Sequence, residues 1–295
     1  MLSILIPTYN YTIYNLIQEI SRQAEAMAIP YEIIVSDDHS SQYQEENKKI
    51  TSFPHTKYLE QTQNLGRTKN RELLAHTAKY SWILFLDADV IPASKDFIKN
   101  YIHAIHDEID LIFGGISYQE KSPNKNQYLR WFYGKHREAQ AVEKRQKHPW
   151  FVISQNLLSK KELFLKANVS KENRYGLDNL FSHQLKKLEA RIIHIDNPII
   201  HLGLEENPVF LKKSVEAVET TIHYEHIGMM ESYVSRLQKS YQFLKRTKLT
   251  GLFVSLIQPL KKRIERNLLG KSPSLFLFDL YKLYHYTRLK KNRDA

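Results

Sequence analysis

The chain has 295 residues and a formal net charge of +11, with 42% hydrophobic and 25% charged residues, the composition of a globular protein long enough to bury a sizeable core. It contains no cysteine, which excludes disulfides, thiolate-held zinc, iron–sulfur clusters and a cysteine nucleophile, and leaves oxygen and imidazole as the ligands for any metal. The amino-terminal MLSILIP lacks the basic and apolar segments of a signal peptide, and no run approaches the roughly 18 apolar residues of a spanning helix, so a soluble, cytoplasmic chain is the expectation.

In chain order, residues 2–6 are a short apolar run ending at Pro7, and Ile13, Leu16, Ile17, Ile20 and Ala24 then recur at helical spacing. Residues 31–35 (YEIIV) form a second strand that closes on the polar turn cluster SDDHSS. A helix from about Gln42 leads to a short strand near residues 57–60. Asn64-Leu65-Gly66 opens another helix reaching about Lys79, and the strand at residues 82–86 runs straight into Asp87 and Asp89. This βαβα alternation, with continuous apolar runs at residues 33–35 and 83–86, predicts a mostly parallel sheet with helices on both faces. From about Pro208 the chain reads as helices.

Ligands of open α/β sheets bind beyond the carboxyl ends of the strands, where the strand order reverses. Three strands here end in polar clusters, Pro7-Thr8-Tyr9-Asn10, Asp37-Asp38 and Asp87-Ala88-Asp89, which are expected to converge on one crevice. No G-x-G-x-x-G turn follows the first strand, which argues against an ordinary dinucleotide site. A divalent cation held by Asp89 is the leading candidate for handling phosphate. Residues two apart in extended chain point to the same side, so Asp87 and Asp89 can face one ligand.

The series SILIPTYN (Ser3 to Asn10), IIVSDDHS (Ile33 to Ser40), NLGRTKNR (Asn64 to Arg71) and FLDAD (Phe85 to Asp89) resembles, in order and approximate spacing, the GT-A glycosyltransferases of family 2. With weaker matches the resemblance covers about residues 1–205. It implies a Rossmann-like GT-A domain and a metal-dependent, inverting transfer of a sugar from a nucleotide-sugar donor, a UDP-sugar favoured, to a hydroxyl of a surface glycan or lipid-linked acceptor. Pro7, Thr8 and Tyr9 would line the nucleotide pocket, with Tyr9 against the base. Asp38 would accept a hydrogen bond from the uracil imide, Arg71 would lie near base and diphosphate, Asp87 would contact ribose or sugar, and Asp89 would hold Mg²⁺ or Mn²⁺ across the phosphates. Asn70 and Glu72 depart from the family's Ala-Arg-Asn element. Phe113-Gly114-Gly115 resembles the small-residue element near the donor sugar.

The stretch NRYGLDNLF, residues 173–181, resembles the segment with the family's acidic pair; Leu177 replaces the first acid and leaves Asp178 as the expected general base. NPIIHLG, residues 197–203, resembles the strand-end histidine that completes the metal site, and imidazole at His201 favours manganese. Simpler readings stand beside these. Asp38 and Asp178 can cap helices, Arg71 can be a surface arginine, and His201 can be structural. In the aromatic and basic region 126–150, a mobile flap and a buried aromatic cluster are equally open.

The excess positive charge belongs to the tail, where residues 236–295 carry fifteen Lys and Arg against three acids. There GLFVSLI (residues 251–257) leads to Lys261-Lys262-Arg263, and a last helix is expected over residues 274–284. Such a tail suits either a helix lying in an anionic membrane surface, which would place the chain peripherally on the inner face, or packing on the catalytic domain or in a homodimer. No nucleic-acid motif accompanies the charge, which argues against a nucleic-acid partner. The expected division is a GT-A domain at 1–205 and a basic helical extension at 206–295. Two rivals remain, an idle nucleotide-sugar-binding scaffold and a nucleotidyltransferase; the second lacks the glycine-rich, lysine-containing loop that grips a triphosphate.

Overall fold

The computed structural model describes residues 1–294, which divide into two compact units. The first takes residues 1–119, 135–173 and 184–203. The second takes residues 120–134, 174–183 and the chain from Leu204 onward. The second unit thus combines the chain from Leu204 onward with two segments that precede it in the sequence.

The first unit opens with β1 (Leu2–Thr8), α1 (Tyr14–Glu25), β2 (Tyr31–Asp37), α2 (Gln44–Lys48), β3 (Thr56–Glu60), α3 (Arg67–Thr77), β4 (Trp82–Leu86) and β5 (Val90–Pro92). Every residue of β2 is buried and all but one of β1, because each strand has a neighbour on both sides and helices above and below, as their unbroken apolar runs predict. The apolar row of α1 (Leu16, Ile17, Ile20 and Ala24) is buried together with Ile13 just before it.

Two helix limits differ from the sequence expectation for local reasons. α2 starts at Gln44 rather than Gln42 because Tyr43 has a left-handed backbone with φ 64°, which no helix interior accommodates. α3 stops at Thr77 rather than Lys79 because Ala78 is already extended and the Lys79 N–H donates to Glu32 Oε1 at 2.6 Å.

The chain continues with α4 (Phe97–Ala104), β6 (Leu111–Phe113), β7 (Ile116–Ser117), α5 (Tyr128–Tyr133), α6 (Val142–Gln146), β8 (Asn156–Lys160), α7 (Lys161–Ala167), α8 (Asp178–Lys187), β9 (Ile192–His194) and β10 (Ile199–His201). The described residues form a seven-stranded sheet in the order β3-β2-β1-β4-β8-β6-β9 and a three-stranded sheet in the order β5-β10-β7. In the large sheet β1, β2, β3 and β4 run parallel. β8 is antiparallel to both β4 and β6, and β9 is parallel to β6. The sheet is mostly parallel and flanked by helices, as the sequence indicates.

The second unit is helical. Besides α5 and the start of α8 it holds α9 (Asn207–His226), α10 (Arg236–Arg246), α11 (Thr250–Ile257), α12 (Lys261–Leu268) and α13 (Leu275–Asp294). Pro208 sits in the first turn of α9, where its missing N–H is no loss. Ser235 and Gln238 form a reciprocal capping box that starts α10. The unit has its own core: Leu129, Phe210, Leu211, Ile264, Leu268 and Phe278 belong to one buried cluster, and Val218, Ile222, Tyr241 and Tyr286 to another. Beside the second, the buried Glu225 carboxylate accepts at Oε1 from Gln238 Nε2 at 2.6 Å and Tyr286 Oη at 2.5 Å, and its Oε2 faces the Lys290 ammonium, so the charge has a counter-ion. α13 runs about ten residues beyond the expected end at Tyr284, because Tyr284, His285, Tyr286 and Thr287 are all buried. Among the described residues no helix is long and apolar enough to cross a membrane.

Candidate active site

β1 lies between β2 and β4 and parallel to both, so the sheet order reverses at β1 and a crevice opens beyond its carboxyl end. The first two polar clusters meet there. Pro7 and Thr8 are in register with Ser36 and Asp37, and the Asp38 N–H donates to the Thr8 carbonyl at 2.9 Å. Tyr9 leaves the sheet with 55% of its surface exposed, an aromatic face open to a ligand.

Asn10, His39 and Tyr43 around it all have left-handed backbones, a conformation that must be held by its surroundings. Asn10 does much of the holding. Its side-chain oxygen accepts from the N–H groups of Ser41 and Gln42, and its own N–H donates to Ser40 Oγ.

The two acids of the second cluster are buried and engaged. Asp37 accepts from the Ser40 N–H and the Tyr58 hydroxyl. Asp38 accepts from the N–H groups of Leu65 at 2.6 Å and Gly66 at 2.9 Å, so its carboxylate fixes the turn that starts α3. Burial pushes the Asp38 carboxyl up, and the two backbone donors pull it part of the way back. Gly66 has φ +79°, and a β-carbon there would overlap the Asn173 side chain; both facts require glycine.

α3 delivers two arginines to the end of β4. Arg71, buried on the inner face of the helix, donates to Asp87 Oδ1. Arg67, one turn earlier and 40% exposed, reaches Asp87 Oδ2 at 3.2 Å and Ser154 Oγ at 3.2 Å. Burial alone would push the Asp87 carboxyl up, but the guanidiniums of Arg71 and Arg67, with the His201 imidazole, outweigh it and hold it below the ordinary range. Arg71 is therefore no surface arginine. Arg67 escaped the sequence reading because its position one residue after Gly66 carries no motif of its own; its spacing of four from Arg71 on one helix face was the available signal.

The small sheet builds the remaining part. β5 and β10 pair antiparallel with Val90 opposite His201, and the Leu202 N–H donates to the Asp89 carbonyl at 2.9 Å. This pairing sets His201 Nε2 3.2 Å from Asp89 Oδ2, although 112 residues separate them. His201 is buried, with the edge of the Tyr118 ring against it. A β-carbon at Gly203 would overlap the Asp89 carboxylate.

A carboxylate oxygen and an imidazole nitrogen converging at this distance could both serve as ligands to a divalent cation. No group of three or more His, Cys, Asp or Glu side chains that could hold a metal ion occurs among the described residues, so the protein offers this pair alone. Behind the site, Asn156 at the start of β8 is wholly buried and satisfied. It donates to the carbonyls of Gly115 and Asn197 and accepts from Tyr101 Oη, which fixes the Phe113-Gly114-Gly115 turn against the approach to β10. Nothing in the local sequence marks Asn156.

Pro7, Thr8, Tyr9, Asp38, Arg71, Asp87, Asp89 and His201 all belong to the first unit. Asp178 is the first residue of α8, in the second unit, where an acid in the first helical turn also complements the helix dipole.

The strand order, the crevice at β1 and the strand-end carboxylates define an α/β protein of the GT-A kind. Residues 3–165, more than half of the chain, match the model of glycosyl transferase family 2, and the chain belongs to that family. No curated protein matches the sequence. Among solved structures, a mannosyltransferase from Pyrobaculum calidifontis, in complex with GDP-Man and Mn²⁺, is 14% identical with a TM-score of 0.57, over 100% of this chain and 87% of that one. Mannosyl-3-phosphoglycerate synthase from Rubrobacter xylanophilus is 12% identical with a TM-score of 0.56, over 80% of this chain and 77% of that one. Residues 1–349 of S. aureus TarS, in complex with UDP-GlcNAc, are 16% identical with a TM-score of 0.50, over 100% of this chain and 92% of that one. At these identities the likeness is one of fold.

Proposed function

We propose that the protein transfers a sugar from a nucleoside-diphosphate sugar, a UDP-sugar favoured, to a hydroxyl of a surface glycan or lipid-linked acceptor, with inversion at the anomeric carbon. The observation that carries this reading is the meeting of Asp89 and His201 beyond the reversal of strand order, beside the Thr8–Tyr9 and Asp38 loops. Membership of glycosyl transferase family 2 supports it.

In this reading Pro7, Thr8 and Tyr9 seat the nucleoside, with the Tyr9 ring as a stacking face. Asp38 has lone pairs beyond those given to Leu65 and Gly66, and one of them takes the base imide. Asp87, held in place by Arg71, orients the ribose or sugar. Asp89 and His201 hold Mn²⁺ or Mg²⁺, which when bound supplies positive charge to a departing diphosphate.

The acceptor oxygen bonds to the anomeric carbon as the bond from that carbon to the diphosphate oxygen breaks, its electron pair leaving with the nucleoside diphosphate. The hydroxyl proton passes to Asp178, assigned on its sequence position alone.

The test is hydrolysis of UDP-, GDP- and dTDP-sugars with Mn²⁺ and with EDTA, in the wild type, Asp89→Ala and Asp178→Ala. Release of one nucleotide that needs metal and disappears in Asp89→Ala supports the reading and names the donor. Loss in Asp178→Ala supports the base. Leu177, standing where a second acid is expected, keeps one other reading in view, a binder without turnover; calorimetry showing tight, metal-dependent binding of a donor that no acceptor extract turns over would establish it.

A further inference from the structure

The helical unit leaves one apolar row uncovered. Phe253, Val254 and Ile257 of α11 face the core. Leu249 just before α11, Leu252 and Leu256 within it and Leu260 in the turn that follows stand three or four residues apart, and Leu252 and Leu256 share one helix face. They are 41%, 57%, 59% and 45% exposed, four large apolar side chains open to solvent within one short stretch of chain. Lys248, Lys262 and Arg263, all exposed, lie next to the row in the chain. A shallow depression of about 610 Å³ lies at the same place, lined by Ser255, Gln258, Pro259 and Lys262; a hydroxyl, an amide and an ammonium group there suit a phosphodiester.

We propose that this face is a docking surface for an anionic phospholipid bilayer: the leucines enter the acyl boundary, and Lys248, Lys262 and Arg263 meet the headgroup phosphates. Charge decides between occupants. A second copy packed symmetrically would bring a second Lys248, Lys262 and Arg263 to the same face, and like charges across an interface are unfavourable. A nucleic acid would use the lysines but leave the leucine row in water. A bilayer with acidic headgroups satisfies both halves at once, as an amphipathic helix lying in the interface does. The α11 helix is only eight residues long, so it lies on the membrane and does not span it. This surface stands independently of what the active site transfers.

The test uses the full-length protein and sedimentation with vesicles of phosphatidylcholine alone or mixed with phosphatidylglycerol. The expected result is co-sedimentation with the anionic vesicles and not with the neutral ones, weakened by salt. Leu252→Ser/Leu256→Ser should reduce the bound fraction about tenfold, and Lys262→Gln/Arg263→Gln should reduce both binding and its salt dependence. All four positions are exposed, so unchanged circular dichroism and elution volume should accompany the loss. No binding to anionic vesicles, binding that the folded variants retain, or a dimer that Leu252→Ser/Leu256→Ser dissociates would each overturn the proposal. Nucleotide release measured without vesicles should be equal in all variants, which separates a failure here from a failure of the proposed activity.

Discussion

Gly203 and Asp89 share one small volume: a β-carbon on residue 203 would stand where the Asp89 carboxylate does. The glycine follows the strand that carries His201, so the same turn both presents the imidazole and makes room for its partner. Gly203→Ala should therefore displace the carboxylate from the imidazole. We expect metal-dependent donor hydrolysis to fall about 100-fold, the scale on which small misplacements act, with the thermal unfolding midpoint little changed. A Gly203→Ala protein with wild-type metal dependence would show that Asp89 does not work from this position.

The two arginines on Asp87 should behave differently. Arg71 is buried and Arg67 half-exposed. Truncation of Arg71 removes one partner of a buried ion pair, at a cost of about 3–5 kcal/mol, less what Arg67 restores. Arg67→Ala should change stability by less than about 1 kcal/mol while weakening donor binding. Denaturant unfolding and donor titration of both variants distinguish structural from binding roles; equal destabilisation by the two would contradict this division.

Asp38→Asn tests the turn before α3. An amide has one acceptor oxygen where the carboxylate has two, so one of the Leu65 and Gly66 N–H groups loses its partner and meets an NH₂ instead. The buried, unmatched donor should cost about 1–3 kcal/mol. Exchange of the Leu65 and Gly66 amide hydrogens should become faster than in the wild type, and donor affinity should fall. Unaltered protection at both amides would mean that other groups hold the turn.

The helical unit should lose stability in mild acid. Burial, then the nearby positive charges of Lys261 and Arg288, push the His285 imidazole down to about 4, against a small upward pull from Glu265. Between the ordinary value of about 6.5 and that lower one, the unfolded chain takes up a proton that the folded chain refuses, so stability falls as pH falls through this window and is full above it. His285→Gln should flatten the slope of the unfolding midpoint between about pH 6.5 and 4. A slope that survives the substitution assigns the effect elsewhere.

Much of the first unit was legible because burial on both faces writes β1, β2 and β4 as unbroken apolar runs and their ends as polar clusters. The short strands were not. β5, β7 and β10 have two or three residues each, too few for any period to show, and their pairing is decided by partners up to about a hundred residues away. His201 was read from its resemblance to a strand-end histidine. Arg67 and Gly203 lie inside stretches that resemble the family, but their roles depend on contacts across the fold, as does that of Asn156, which no local pattern marks. In the tail, the helices were visible, but the capture of residues 120–134 and 174–183 into their unit was not, since packing across the chain leaves no local pattern.

The β5–β10 pairing also bears on how the protein is made. The part that matches the family model ends at residue 165 and already holds Thr8, Asp38, Arg71, Asp87 and Asp89, whereas His201 and Gly203 come later in synthesis. The Asp89–His201 contact joins residues 112 apart, so it cannot form until nearly all of the first unit has been synthesised. In the proposed reaction, a chain that stops before His201 would lack one of the two groups that hold the cation. On the proposed reading, such a chain would leave an activated sugar intact.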